Sequence, residues 1–118
     1  MKRVTYDRVT YVFGRDVTPV LTVEPGEEIL FETLDARGSR SFDPSVGYVP
    51  PPPPTAERTN PATGPVLIRG AEPGDVLVVG VVGRDLGAYG YVSARSNIGV
   101  LRDRVKTPLS KAVRVEDE

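Results

Sequence analysis

Apolar and polar residues alternate loosely over residues 4–12, the two-residue period of a half-buried strand. A short apolar segment at 19–23 comes next and stops at Glu24-Pro25-Gly26-Glu27. Proline at the second position of a four-residue turn presets φ near −65°, and glycine at the third accepts positive φ. The tetrapeptide therefore predicts a type II turn. Residues 29–34 then read as a strand with Ile29, Phe31 and Thr33 on one face and Leu30, Glu32 and Leu34 on the other. The same phrase recurs at Ala71-Glu72-Pro73-Gly74-Asp75 and again feeds an apolar run. Two copies of a turn followed by a strand suggest two equivalent corners of a sandwich or barrel. Residues 76–82 are apolar at every position except Gly80, which predicts a strand buried on both faces. A short chain has little material to cover two faces, so this strand points to a missing neighbour.

The remaining segments read as connections. Residues 37–60 are rich in Gly, Ser, Pro and charge and include a run of prolines at 50–54. Such a run forms a polyproline II rod. It can serve as a loop spacer or as a ligand for a proline-recognising partner, and with no repeat and only Arg58 as the nearest cation the spacer is favoured. Residues 83–97 are a second irregular stretch with Gly83, Gly87 and Gly90, too loosely spaced for a phosphate-binding fingerprint. Residues 106–111 suit one helical turn and 113–115 a final strand. The expected class is all-β: a β-sandwich or partly open barrel of short strands with long Pro- and Gly-rich loops, forming one domain over residues 1–118.

Composition sharpens this picture. The 118 residues include nineteen valines against eight leucines and three isoleucines. β-Branched side chains favour strands. Twelve glycines and twelve prolines supply the breaks. Fifteen basic and sixteen acidic residues leave the chain near neutral. No segment is strongly basic, so no nucleic-acid partner is expected. No apolar run reaches the ~20 residues of a membrane span, and Tyr6, Asp7 and Arg8 interrupt any signal-peptide core, so a cytoplasmic protein is expected. With no cysteine there is no disulfide framework. With no histidine, the usual general base and commonest transition-metal ligand is missing, and catalysis by this chain alone would rest on carboxylates, lysine, tyrosine or hydroxyls. Copper ligation of the cupredoxin kind is excluded for the same reason.

Three residues are candidates for chemistry. Glu32 shares its expected face with Leu30 and Leu34, where lost hydration would push a carboxylate towards the range of a general base. The alternative, which the pattern favours, is an edge-strand Glu that reaches solvent or pairs with an arginine. Asp35 ends the expected strand, where an aspartate commonly fixes a turn through its own side chain. Asn60, at the head of Asn60-Pro61-Ala62-Thr63-Gly64-Pro65, offers an amide to a substrate or fixes local backbone. Ser96, in the polar cluster Arg95-Ser96-Asn97, has no visible base to activate it. No metal ligand set is apparent.

These segments resemble a known family. Residues 19–36, Pro-Val-Leu-Thr-Val-Glu-Pro-Gly-Glu-Glu-Ile-Leu-Phe-Glu-Thr-Leu-Asp-Ala, look like the N-terminal signature of the acetamidase/formamidase family. Residues 60–77, Asn-Pro-Ala-Thr-Gly-Pro-Val-Leu-Ile-Arg-Gly-Ala-Glu-Pro-Gly-Asp-Val-Leu, look like its second signature, and Ile-Gly-Val-Leu at 98–101 resembles the next segment of the family. The resemblance implies hydrolysis of the C–N bond of short linear amides to carboxylate and ammonia, assisted by a divalent metal. It also implies longer relatives whose histidine- and acid-rich later half holds that metal, and nothing in this sequence matches that half. The expectation is an N-terminal-type β domain or small subunit, inactive alone. No cofactor is expected in this chain, and its partner is a second copy or a chain carrying the C-terminal half. Glu32, Asp35 and Asn60 match motif positions of the family; Glu32 and Asp35 are the candidate catalytic residues and Asn60 the candidate substrate-binding residue. The alternative is a stand-alone, non-catalytic β module that oligomerises or binds a small ligand.

Overall fold

The structure, a computed structural model, describes residues 1–38, 58–96 and 99–116. The proline run at 50–54, Asn97, Ile98 and the last two acidic residues lie outside the described residues. Among those described there is no helix and there are eight short strands, so the all-β class holds. The described residues fall into two compact units, one drawn from residues 1–38 and 58–80, the other from 81–96 and 99–116.

The first unit holds six strands: β1 (Lys2–Val4), β2 (Val9–Thr10), β3 (Leu21–Val23), β4 (Ile29–Phe31), β5 (Ala62–Thr63) and β6 (Val66–Ile68). Its apolar alternation at 4–12 is not one strand. Thr5 accepts a backbone bond from Arg8, at 3.0 Å, and its hydroxyl donates to the Asp7 carboxylate. That local turn splits the segment into β1 and β2, because Thr and Asp side chains offer the backbone an alternative to a ladder. β1 pairs in parallel with β4, in register Lys2↔Ile29, Arg3↔Leu30 and Val4↔Phe31. β2 pairs antiparallel with β5. β3 pairs in parallel with β6, in register Leu21↔Val66, Thr22↔Leu67 and Val23↔Ile68. Backbone bonds from Val20 to Pro65, 2.9 Å, and from Arg69 to Val23, 2.8 Å, extend that ladder at both ends.

Both Pro-Gly turns form. Gly26 has φ of 85° and Glu27 N–H donates to Glu24 O at 3.2 Å; Gly74 has φ of 105° and Asp75 N–H donates to Glu72 O at 3.1 Å. In each, the acid at the fourth position also accepts a bond from the N–H of the first Glu: Glu24 N to Glu27 Oε2 at 2.6 Å, and Glu72 N to Asp75 Oδ2 at 2.8 Å. Each turn thus satisfies its own backbone from its own side chain.

The two turns have different exits. The first leads into β4. The second leads into residues 76–82, which belong to no strand among the described residues and are exposed. The expected strand buried on both faces is therefore not found: an apolar run reports a demand for cover, and here nothing described supplies it. The buried apolar side chains of the described residues are Val4 and Val23, which end β1 and β3. At about 1.5–3 kcal/mol per buried side chain, two valines make a slender core.

The second unit is a hairpin-like pair, β7 (Tyr89–Ala94) with β8 (Leu109–Arg114), antiparallel over six residue pairs from Tyr89↔Arg114 to Ala94↔Leu109. β7 lies in a stretch expected to be irregular, and β8 takes up residues expected to hold a helical turn. The helical-type turn occurs earlier, where Arg104 and Val105 both donate to Leu101 O at 2.9 and 3.1 Å. Tyr89, Tyr91 and Val92 suit a pleated surface, and a six-residue partner outweighs the glycines around them.

Candidate functional site

The parallel pairing of β3 with β6 brings the two long sequence motifs side by side, and further bonds lace their far ends together. Thr63 Oγ1 donates to Glu32 O at 2.7 Å, and Asn60 N–H donates to Ala36 O at 2.9 Å. The three candidate residues therefore meet at one junction, between the end of β4 and the start of β5.

Glu32 is the joint of that junction. Its N–H donates to Val4 O at 2.9 Å, continuing the β1–β4 ladder. One carboxylate oxygen accepts the Tyr6 N–H at 3.3 Å and the other is paired with the Arg3 guanidinium. The side chain is one-fifth exposed, Arg3 more than half. Of the two readings the sequence allowed, the arginine pairing is the one observed. Arg3 stands twenty-nine residues away in sequence. It belongs to the junction and was invisible to sequence reasoning, because a lone arginine near the N-terminus carries no local signal.

Asp35 Oδ1 accepts the Arg37 N–H at 2.7 Å and its carbonyl accepts Gly38 N–H at 2.9 Å, the side-chain-fixed turn expected there. Asn60 has φ of 57°, the left-handed region that asparagine tolerates better than most residues. It is exposed, with its amide side chain at the surface of the junction. Thr63, which locks the motifs together, is a second residue that sequence reasoning passed over.

Away from the junction, two carboxylates titrate below their ordinary range. Glu27 lies below its ordinary value because the Lys2 ammonium donates to it, at 2.7 Å, with the Glu24 N–H adding to the effect. Asp7 is lowered first by the Thr5 hydroxyl. Arg69 Nε pairs with Glu24 Oε1 at 2.5 Å, across from β6 to the first turn. These are exposed pairs that fix the turns' geometry.

The described residues do not fit a divalent metal. No three acids among them converge, the chain has no histidine or cysteine, and both oxygens of Glu32 already have donors. In the second unit an open hollow lined by Ser93, Arg95, Val100, Leu101 and Val105 holds no acid. Ser96 is exposed. Among the described residues no helix is long and apolar enough to cross a membrane.

Comparison with known proteins gives these motifs a family. The acetamidase/formamidase family model matches residues 5–118. No curated protein matches the chain. The crystal structure of a predicted acetamidase/formamidase from the thermophile Thermoanaerobacter tengcongensis superposes with a TM-score of 0.83 at 27% identity, over 98% of this chain and 38% of that one. An acetamidase from Bacillus halodurans shares the fold, with a TM-score of 0.73 at 21% identity over 98% of this chain and 38% of its own. The chain thus spans well under half the length of either relative. With the model matched along nearly its whole length, and both signature motifs paired in space, the chain belongs to the acetamidase/formamidase family.

Proposed function

We propose that this chain is the N-terminal-type β part of an acetamidase/formamidase-like hydrolase, acting on the C–N bond of short linear amides only when completed by the rest of the family fold. The observation that carries the reading is the near-complete superposition of this chain on 38% of a predicted acetamidase/formamidase, at a TM-score of 0.83. The divalent metal implied by the family is assigned to the rest of the family fold, since the residues described here do not fit one. This chain's contribution is a positioned backbone. Glu32 holds β4 to β1 through Arg3 and Tyr6, and Thr63 holds the second motif to the first. Asn60, exposed beside Ala36, is the group suited to face an amide substrate, because its side chain both donates and accepts. We place the protein in the cytoplasm on sequence grounds.

Ammonia release tests the proposal. Metal-replete chain is assayed with formamide and acetamide alone and after mixing with a polypeptide carrying the remaining family fold. The expected result is no release by the chain alone and release by the mixture. Release by the chain alone, abolished in Glu32→Gln, would overturn it. The second reading, a stand-alone non-catalytic module that oligomerises or binds a small ligand, is favoured by the complete absence of histidine and cysteine. It predicts a stable homo-oligomer and no ammonia under either condition.

A further inference from the structure

We propose that residues 76–79 are an open strand edge to which an apolar strand of the complementing polypeptide adds in parallel, as β1 adds to β4. The proposal rests on the reading of the chain as an incomplete hydrolase and names the surface that the completion uses.

β3 and β6 are parallel neighbours, and each leads to a Glu-Pro-Gly-acid turn closed by the same two hydrogen bonds. The second turn is reached after an added bend at Gly70, φ 78°, so the copies are offset but of one kind. Counting from the turn glycine, Ile29 and Leu77 are both the third residue, so Leu30 corresponds to Val78 and Glu32 to Gly80. The exit of the first turn is covered by β1. The exit of the second has no partner strand among the described residues, and no backbone bond there reaches residues 76–79. Its side chains are exposed as few valines are: Val76 87%, Leu77 66%, Val78 88% and Val79 73%. Four consecutive apolar residues left in water are a recognised mark of an interaction surface, and unpaired backbone groups invite strand addition.

The comparison also fixes which groups face the incoming strand. On β4, Lys2 N–H donates to Glu28 O at 3.4 Å and Glu32 N–H donates to Val4 O at 2.9 Å. In a parallel ladder this parity makes Glu28, Leu30 and Glu32 the residues whose backbone meets β1. The corresponding residues are Val76, Val78 and Gly80. Where the first copy meets its partner with the Glu32 carboxylate and an arginine, the second offers Gly80 among valines. The matching strand is therefore apolar and needs no cation at that point. Its source is the family fold beyond the matched region, since this chain covers only 38% of its structural relatives.

Amide hydrogen exchange tests this on the full chain, alone and with the part of the Thermoanaerobacter tengcongensis relative that lies beyond the match. The expected result is slowing of about 100-fold or more at the Val78 and Gly80 amides, with Leu77 and Val79 slowed less. Val78→Pro removes the central donor. It is expected to leave the unfolding temperature of the free chain unchanged at concentrations where the chain is monomeric, and to weaken complex formation at least about tenfold. A complex that releases ammonia while Val78 and Gly80 exchange as in the free chain overturns this surface and leaves the proposed function standing. Protection of Leu77 and Val79 in place of Val78 and Gly80 overturns the register. Absence of both complex and ammonia release overturns this proposal together with the function on which it rests.

Discussion

Glu32 is the residue at which a structural and a catalytic reading make different numerical claims. Replacing it by Gln keeps an oxygen for the Tyr6 N–H and one polar group beside Arg3 but removes the charge. Arg3 is more than half exposed, so the lost ion pair is worth no more than about 0.2–1 kcal/mol. Replacing it by Ala also removes the acceptor of the Tyr6 N–H. That bond is long, 3.3 Å, and part-buried, so its loss adds about 0.5–1.5 kcal/mol. The expected costs are about 0.5 kcal/mol for Glu32→Gln and about 1–2 kcal/mol for Glu32→Ala. At the lower end of the usual conversion, about 4 °C per kcal/mol for a domain of this size, Tm falls by about 2 °C and about 4–8 °C. Thermal unfolding by circular dichroism measures both. Equal effects of the two variants would refute the reasoning, because only the backbone acceptor distinguishes them. In the completed hydrolase the joint role predicts that Glu32→Gln retains most activity, whereas a general base at this position predicts its loss without a matching fall in Tm.

The turns, the ion pairs and the open edge each give a further outcome. Gly26→Ala and Gly74→Ala each meet no atom within 4 Å but force Cβ into φ of 85° and 105°, costing about 1–2 kcal/mol by urea unfolding, while Gly83→Ala, with equal space and no positive φ, is neutral or slightly stabilising. Glu27 titrates below its ordinary value of 4.5, so its stabilising effect is complete above that value and is lost as pH falls through the lowered one; Lys2→Met is expected to flatten the acid limb of a Tm–pH profile, and an unchanged limb would contradict the pairing. Without a complement, light scattering is expected to give a concentration-dependent mass above the 12.8 kDa monomer that Val78→Asp reverses, and a monomer at all micromolar concentrations would count against self-association through residues 76–79.

The features legible in the sequence are those whose causes are local. Pro25-Gly26 and Pro73-Gly74 fold as turns because proline and glycine restrict or free φ whatever surrounds them. Asp35 fixes its own turn for the same reason. The misread segments are those decided by distant partners. The Thr5–Asp7 bond interrupts an alternation that by itself reads as one strand. β7 is hidden among glycines until β8, further along the chain, pairs with it. Residues 76–82 carry the strongest strand signal in the chain, yet that signal measures hydrophobicity, and pairing depends on a neighbour the described residues do not include. The junction was half legible: Glu32, Asp35 and Asn60 stand out as motif positions, but Arg3 and Thr63, which join them, acquire meaning only once β1 lies on β4 and β5 follows Asn60.

The central claim is that this chain is part of an amide hydrolase and works only when completed. Ammonia release from formamide, monitored as the metal-replete chain is titrated into a fixed amount of the complementing polypeptide, tests it most directly. The account predicts none from either component alone and a rise that saturates at one chain per complement. Release from this chain alone, or none at any ratio once a complex has formed, would contradict it.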